Sequence, residues 1–355
     1  IIINGEIDST KLEKCFNALI SRHESLRTFF ELNNENVVQK IEKNIDFKLE
    51  IENISNFENL QSIFKEFIKP FDLSKAPLFR AKLLKLKNEK SVILVDMHHI
   101  ISDGASLSIL TDELSNLYND KHLTDLKVTY KDFAEFESEQ FETKFFKEAE
   151  NYWINQFSGE IPVLNLPTTY TRPAVQSFEG RKVYSSIDLE TKQKVDALAK
   201  NLDITPFMIF LSAYYILLSK YTAQDDIIVG SPIVGRDMLE TQNLIGMFVN
   251  TLALRNKIDA SLSFKEFVLS IKENILNAYK YQTYPFDELV NNLNIKRDTS
   301  RNPLFDTMFI YQSNRYDTID FNGISAEYYI PDSGISKFDL SLELLPSSDK
   351  IKLSF

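Results

Sequence analysis

The chain is poor in the residue types from which several common kinds of site are built. It holds one cysteine among 355 residues, so neither an internal disulfide framework nor a multi-cysteine metal site is open to it. That residue, Cys15, lies on a helical apolar stripe with Leu12, Phe16 and Leu19, which points to core packing. Only nine glycines occur, and none falls in a phosphate-cradling loop. A Gly-x-Ser-x-Gly nucleophile elbow is missing too, which removes the serine-hydrolase reading. Positive charge is in deficit: 40 Lys and Arg face 51 Asp and Glu, and the formal net charge of −11 argues against a nucleic-acid partner. No apolar run reaches the roughly 18 residues of a membrane span. The longest, around 207–218, is interrupted by Ser212. No secretion signal opens the chain, so the expected setting is cytoplasmic with no membrane partner. The chain begins on Ile1-Ile2-Ile3, without methionine, and ends on a strand-like stretch at 350–355; both features suggest a piece of something longer.

What is present suffices for a large core. Apolar residues make up 43% of the chain and phenylalanine alone contributes 27. The length suggests about two domains or lobes. Apolar spacing predicts helices at 10–22, 56–68 and 105–118 and a long charged helix from 131 to 157. Strands are predicted at 27–32, 78–86 and 91–97, the last two a hairpin turned at Asn88-Glu89-Lys90. In the second half, strands are predicted at 181–187, 226–229, 307–312 and 341–345, and helices at 190–201, 206–221 and 264–281. Pro162, Pro167 and Pro173 mark 161–174 as a linker between lobes at 1–160 and 175–355. Alternating strands and helices in both halves indicate an α/β protein of two related lobes, and a cleft between lobes is a common ligand site.

The most informative stretch is His98-His99-Ile100-Ile101-Ser102-Asp103-Gly104, which uses two of the four histidines. It follows a strand and precedes a helix. Near neutral pH an imidazole can take a proton and return it. Strand alternation puts His99 on a face with Ile93, Val95 and Met97, and His98 on the other with Val92, Leu94 and Asp96. On that reading His99 emerges into a cleft and His98 is packed. Asp103 has two open roles, orienting an imidazole or pairing with an arginine to hold the turn. Gly104, at a helix start, lets backbone N–H groups approach a ligand and stabilise an oxyanion. Metal ligation is disfavoured, because adjacent strand histidines point apart and His23 and His122 lack ligand-like spacing to them. Spacing alone leaves catalytic and structural readings of the histidines both open. A histidine base without a protein nucleophile suggests direct transfer between two bound substrates.

The stretch resembles the HHxxxDG signature of condensation domains of non-ribosomal peptide synthetases, and further matches follow in family order. Arg22-His-Glu-Ser-Leu-Arg-Thr-Phe29 resembles RHExLRTxF, and Tyr130-Lys-Asp-Phe-Ala134 resembles YxDFA. Ile245-Gly-Met-Phe-Val-Asn-Thr251 resembles IGxFVNT, Tyr284-Pro-Phe286 a YPF core, and Arg297-Asp-Thr-Ser-Arg-Asn-Pro-Leu304 resembles RDxSRNPL. An SxAQxRLW-like first motif is not seen.

The resemblance implies two chloramphenicol-acetyltransferase-like lobes in a V-shaped pseudo-dimer with a central tunnel. It implies amide bond formation between a donor acyl or peptidyl thioester and an acceptor aminoacyl thioester. Both would ride on the phosphopantetheine of donor and acceptor carrier domains, beside an adenylation domain in a multidomain bacterial synthetase of antibiotic biosynthesis; the domain itself binds no cofactor. His99 becomes the catalytic residue, as base or as positioning group. Asp103 becomes a strut, paired with Arg236 in Gly235-Arg236-Asp237 or, as second choice, with Arg27. Asn250 and Gln312 are candidates to line the tunnel. Arg22, His23 and Arg27 read as braces, Tyr130, Phe133, Trp153, Phe248 and Val249 as packing, and Arg297-Asp298 with Arg301-Asn302 as a hydrogen-bonded loop. The stretch Met97–Ser106 looks like the subtype that joins an L donor to an L acceptor. An epimerisation domain shares HHxxxD, but Gly104 and the 245–251 match favour condensation. A heterocyclisation domain would carry DxxxxD instead. A non-catalytic carrier-docking domain need not retain His99 and Asp103.

Overall fold

The computed structural model describes residues 1–34, 36–56, 58, 60–86, 90–295, 298–312, 319–329 and 332–355. In chain order the first half contains β1 (Ile2–Ile3), α1 (Ser9–Arg22), β2 (Thr28–Asn33), β3 (Asn36–Ile41), β4 (Glu50–Ile54), α2 (Leu60–Phe67), β5 (Phe79–Leu86), β6 (Ser91–Met97), α3 (Gly104–Tyr118), α4 (Tyr130–Gln140) and α5 (Lys144–Gln156). The second half contains β7 (Tyr184–Ile187), α6 (Leu189–Leu202), α7 (Pro206–Thr222), β8 (Asp226–Ile233), β9 (Asn250–Lys257), α8 (Phe264–Lys280), α9 (Phe286–Asn292), β10 (Thr307–Tyr311), β11 (Ile319–Phe321), β12 (Ile324–Glu327), β13 (Leu340–Pro346) and β14 (Ile351–Ser354). Asn88 and Glu89, read as part of a hairpin turn, lie outside the described residues.

These elements form two α/β units. One is built from Ile1–Glu139, Arg236–Phe248 and Arg315–Pro331, the other from Gln140–Gly235, Val249–Asn314 and Asp332–Phe355. The division differs from lobes at 1–160 and 175–355 joined by a linker. Residues 161–174 lie wholly inside the second unit, where Leu164 is buried in the core and most of the segment's other residues are exposed, so the segment is not the boundary between the units. The prolines mark irregular backbone, which is not the same as a linker. Of the two later segments of the first unit, Arg315–Pro331 belongs there because β12 pairs with β1, Ile2 opposite Glu327, and Arg236–Phe248 because its residues bond to Asp103 and Ser25. Such a long-range pairing leaves no local signal in sequence.

The first unit's sheet has the order β11-β12-β1-β6-β5-β4, with β5 and β6 antiparallel and Phe79 opposite Met97. Helix α1 buries Leu12, Cys15, Phe16 and Leu19 in this unit's core, and α3 adds Leu110 and Leu114. Each such side chain contributes about 1.5–3 kcal/mol, and Cys15 is a core residue as its spacing indicated. The second unit's sheet has the order β7-β14-β13-β10-β8-β9, with β13, β10 and β8 parallel. Its central helix α7 starts on a Thr205 cap with Pro206 in the first turn, and buries Met208, Leu211, Tyr214, Tyr215 and Leu218. That burial explains the longest apolar run in the sequence. Among the described residues no single helix is long and apolar enough to cross a membrane. The charged helix expected at 131–157 is two helices: Thr143 accepts the Phe146 N–H and starts α5 afresh.

Candidate active site

Strand β6 ends at Met97, so side-chain alternation stops before the histidines. The His98 N–H donates to Leu78 O, and His98 Nδ1 then accepts the Ile100 N–H at 3.1 Å, capping a short 3₁₀ turn at His99–Ile101. The two imidazoles are separated by this turn and not by the faces of a strand, which corrects the sequence reading. His98 is half-buried and stands edge-on to Phe71, whose ring carries the Arg80 guanidinium 3.8 Å from its centre. Arg80 in turn faces Asp96 at 3.2 Å. Burial pushes the Asp96 carboxyl up, and the nearby Arg80 and His98 only partly oppose it. His99 is exposed, and among the described residues no hydrogen bond, ion pair or ring contact engages its imidazole.

Asp103 caps α3 and is buried, as is Arg236; their side chains are 3% and 4% exposed. The guanidinium grips the carboxylate through two bonds, Nη1 to Oδ2 at 2.6 Å and Nη2 to Oδ1 at 3.0 Å. Oδ1 also accepts from the Ser106 N–H at 2.8 Å and the Ser106 hydroxyl at 2.9 Å, and Oδ2 accepts the Phe248 N–H at 3.1 Å. Burial alone would raise this carboxyl, but Arg236 and Ser106 outweigh it and hold Asp103 below the usual carboxylate range. The Arg236 carbon also sits 4.2 Å from the Phe248 ring centre. Arg27, the second-choice partner, is occupied elsewhere: its Nε donates to Ile20 O, and its Nη2 reaches Ser21 O, so it closes the free carbonyls at the end of α1.

Sequence motifs far apart along the chain converge on one buried stretch, residues 244–248. Having neither helix nor strand to pair with, its backbone is satisfied by side chains. Arg236 Nη2 donates to Leu244 O, Ser25 Oγ to Ile245 O, and Tyr130 Oη to Met247 O. His23 Nδ1 accepts the Ile245 N–H. Ser106 Oγ accepts the Gly246 N–H at 3.0 Å and lies 2.8 Å from Gly246 O. Gly246 has no room for a side chain, since a Cβ there would stand 2.2 Å from a Tyr130 ring carbon. Gly246→Ala must displace a ring held by Phe133 and Phe248, and should lower stability by about 1–3 kcal/mol, read from denaturant unfolding.

The other sequence-named residues fall as follows. Gly104 is the first residue of α3, exposed, and a Cβ there meets nothing within 4 Å, so packing within the chain does not require glycine. Asn250 spends both amide hydrogens on Gln282 O and Tyr284 O, and its oxygen accepts from the Thr251 and Phe286 N–H groups. It braces the YPF segment of the second unit, and its polar atoms are consumed, so it does not offer them to a ligand. Gln312 donates to Glu343 Oε1 at 2.6 Å in the same unit. Trp153 Nε1 donates to Tyr281 O, a packing role. Arg297 lies outside the described residues. Asp298 accepts from the Ser300 N–H and hydroxyl, Arg301 pairs with Asp306, and Asn302 donates to Lys337 O, a hydrogen-bonded loop.

Sequence reasoning passed over Ser106, Glu113 and Ser25. Ser106 and Glu113 share the stripe of α3 that buries Leu110 and Leu114, and polar residues on an apolar stripe are the signal that could have found them. Asp103-x-x-Ser106 also has the spacing of a helix cap and its third residue. Ser25 carries no comparable signal, because its partner lies 220 residues away.

A protein-family model described as "Condensation domain" matches residues 1–355. The chain is 44% identical over 350 residues to bacitracin synthase 3 of Bacillus licheniformis, covering 99% of this chain and 6% of that protein. It is 45% identical over 353 residues to gramicidin S synthase 2 of Aneurinibacillus migulanus, covering 99% of this chain and 8% of that protein. The chain thus spans less than a tenth of the length of these curated relatives. Among solved structures, the condensation domain from a monacolin K polyketide synthase matches with a TM-score of 0.89 at 20% identity, covering 100% of this chain and 85% of that one. The X-domain from teicoplanin biosynthesis matches with a TM-score of 0.88 at 20% identity, covering 100% and 83%. At such identities the structural likeness is one of fold.

Proposed function

The chain belongs to the condensation-domain family, and on that premise we propose that it joins two thioester-bound substrates through an amide bond. The observation that carries this reading is the state of His99. Every other polar side chain of its motif is engaged in holding the turn or the helix start, while His99 is exposed with its imidazole uncommitted. The amine nitrogen of an acceptor aminoacyl thioester attacks the donor thioester carbonyl. The C–N bond forms, the C–S bond breaks, and a proton passes from nitrogen to the departing sulfur. His99 is the group proposed to take and return that proton, or to align the amine. An α-amine has a reference pKa near 8, so a neutral fraction exists without a strong base, and alignment alone supplies part of the rate.

The Asp103 side chain takes the Ser106 N–H and does not reach those of Gly104 and Ala105. These first-turn donors are proposed to face the carbonyl oxygen as charge develops on it. Gly104→Ala should therefore leave stability within about 0.5 kcal/mol and slow condensation about tenfold or more by holding that oxygen off. An unchanged rate would remove the backbone from the mechanism.

Donor and acceptor carrier domains bearing phosphopantetheine thioesters are the proposed partners, with an adenylation domain loading them. The proposed subtype joins an L donor to an L acceptor. The deciding experiment mixes the full-length protein with loaded donor and acceptor carriers, varies the donor's stereochemistry, and follows the products by mass spectrometry. A dipeptidyl thioester from the L donor is expected. Inversion of the donor without amide formation would replace this reading with epimerisation, and no reaction at all would favour a docking platform.

A further inference from the structure

Both backbone polar groups of Ile245 are gripped from the short stretch that follows α1. The Ile245 N–H faces His23 Nδ1 at 3.5 Å, and Ser25 Oγ donates to Ile245 O at 2.6 Å. His23 Nδ1 therefore presents a lone pair, and its proton lies on Nε2, 2.7 Å from Glu113 Oε2. Arg22 Nε holds the same carboxylate at 3.1 and 3.2 Å. Arg22 and His23 thus share one carboxylate in a place where His23 is 2% and Glu113 8% exposed. An imidazolium would turn a second N–H against the Ile245 N–H, so the pair fixes one tautomer.

We infer that His23 is a positioning residue for the reaction proposed above. Aligned by Glu113, the imidazole seats Ile245, and the stretch so seated presents Gly246 to Ser106 and the Phe248 N–H to Asp103. Those two residues hold the start of α3, which directly follows the turn carrying His99. The role presupposes that His99 is the reacting group. It gives the histidine of Arg22-His23-Glu24 work beyond capping a helix, through a residue more than two hundred positions away.

Two amide substitutions separate the two ends of the imidazole. Asparagine places its oxygen near Nδ1 and can accept the Ile245 N–H, while glutamine places its amide near Nε2 and serves Glu113 alone. In the full-length protein with loaded carriers, His23→Asn should keep turnover within about threefold of wild type. His23→Gln should lose roughly tenfold or more, with KM for the carriers little changed. Ser25→Ala, a smaller change, should lower turnover in the same sense. Hydrogen exchange read by mass spectrometry over a peptide spanning 244–248 should quicken in His23→Gln and Ser25→Ala and stay slow in His23→Asn. Equal losses in both histidine variants, tracking their melting temperatures, would overturn the role; so would unchanged exchange in His23→Gln. If exchange follows the expected pattern but even wild type forms no amide, the seating of Ile245 stands and the proposed reaction falls.

Discussion

Replacing His99 by alanine should cut amide formation about a hundredfold to ten-thousandfold if the imidazole carries the proton, and leave the melting temperature unchanged. The stability half of this expectation follows from exposure. The side chain makes no hydrogen bond, ion pair or ring contact among the described residues, and its backbone turn is held by His98 and Ser102. Surface changes of that kind stay within about 0.5 kcal/mol. His98→Ala should behave in the opposite way, since it removes the acceptor that caps the turn and the ring that packs on Phe71. The comparison therefore separates chemistry from scaffolding within one pair of neighbours. His99→Asn refines it: asparagine has polar atoms but little basicity, so substantial retained turnover would leave alignment as the role of His99. A folded His99→Ala protein condensing loaded substrates at the wild-type rate would remove His99 from the mechanism.

Asp103→Asn should be the most destabilising single change in the motif, by about 3–5 kcal/mol, because it strands the Arg236 charge in a buried site. Its loss of activity would then report a turn no longer held in place and not a missing catalyst. At roughly 2–4 °C per kcal/mol for a unit of this size, the melting temperature should fall by about 10 °C. Making both sites apolar, as Asp103→Leu with Arg236→Met, should recover part of that loss, since removing an entire buried pair costs less than breaking it. Activity should not return with stability, because Ser106 and the Phe248 N–H lose their acceptor as well. The pH dependence has a definite sign. The folded carboxyl is held below its unfolded value, so its contribution is complete above about pH 4 and fades as pH falls through the lower folded value. The gap in melting temperature between wild type and Asp103→Asn should accordingly be widest near neutral pH and shrink in acid. A gap independent of pH would mean that the ionised pair is not what stabilises the turn.

The helices and the hairpin around the motif were legible because their signals are local. Leu12, Cys15, Phe16 and Leu19 recur at helical spacing and are buried on α1. The apolar run in β6 and the leucines of α3 likewise bracket the turn where spacing put it. Elements with weaker local patterns went unread. Strand β4 has exposed residues at four of its five positions, and β11 and β12 are short strands whose place depends on β1. The boundary expected at 161–174 differs for a related reason: the first unit gathers segments distant in sequence, which leaves 161–174 inside the second.

By itself, the sequence determined the α/β class, the place and order of the motifs, and the nomination of His99 and Asp103 as candidate site residues. These rest on residue identity and short spacing, which a chain displays without being folded. Only the tertiary structure decided which side chains are committed. It paired Asp103 with Arg236 and sent Arg27 to the end of α1. It consumed the polar atoms of Asn250 and drew Ser25, His23, Ser106 and Tyr130 onto one five-residue stretch. A buried polar group must find its partner wherever folding brings one, and sequence separation does not limit that search. His99 is singled out by the same rule, because folding leaves its imidazole uncommitted.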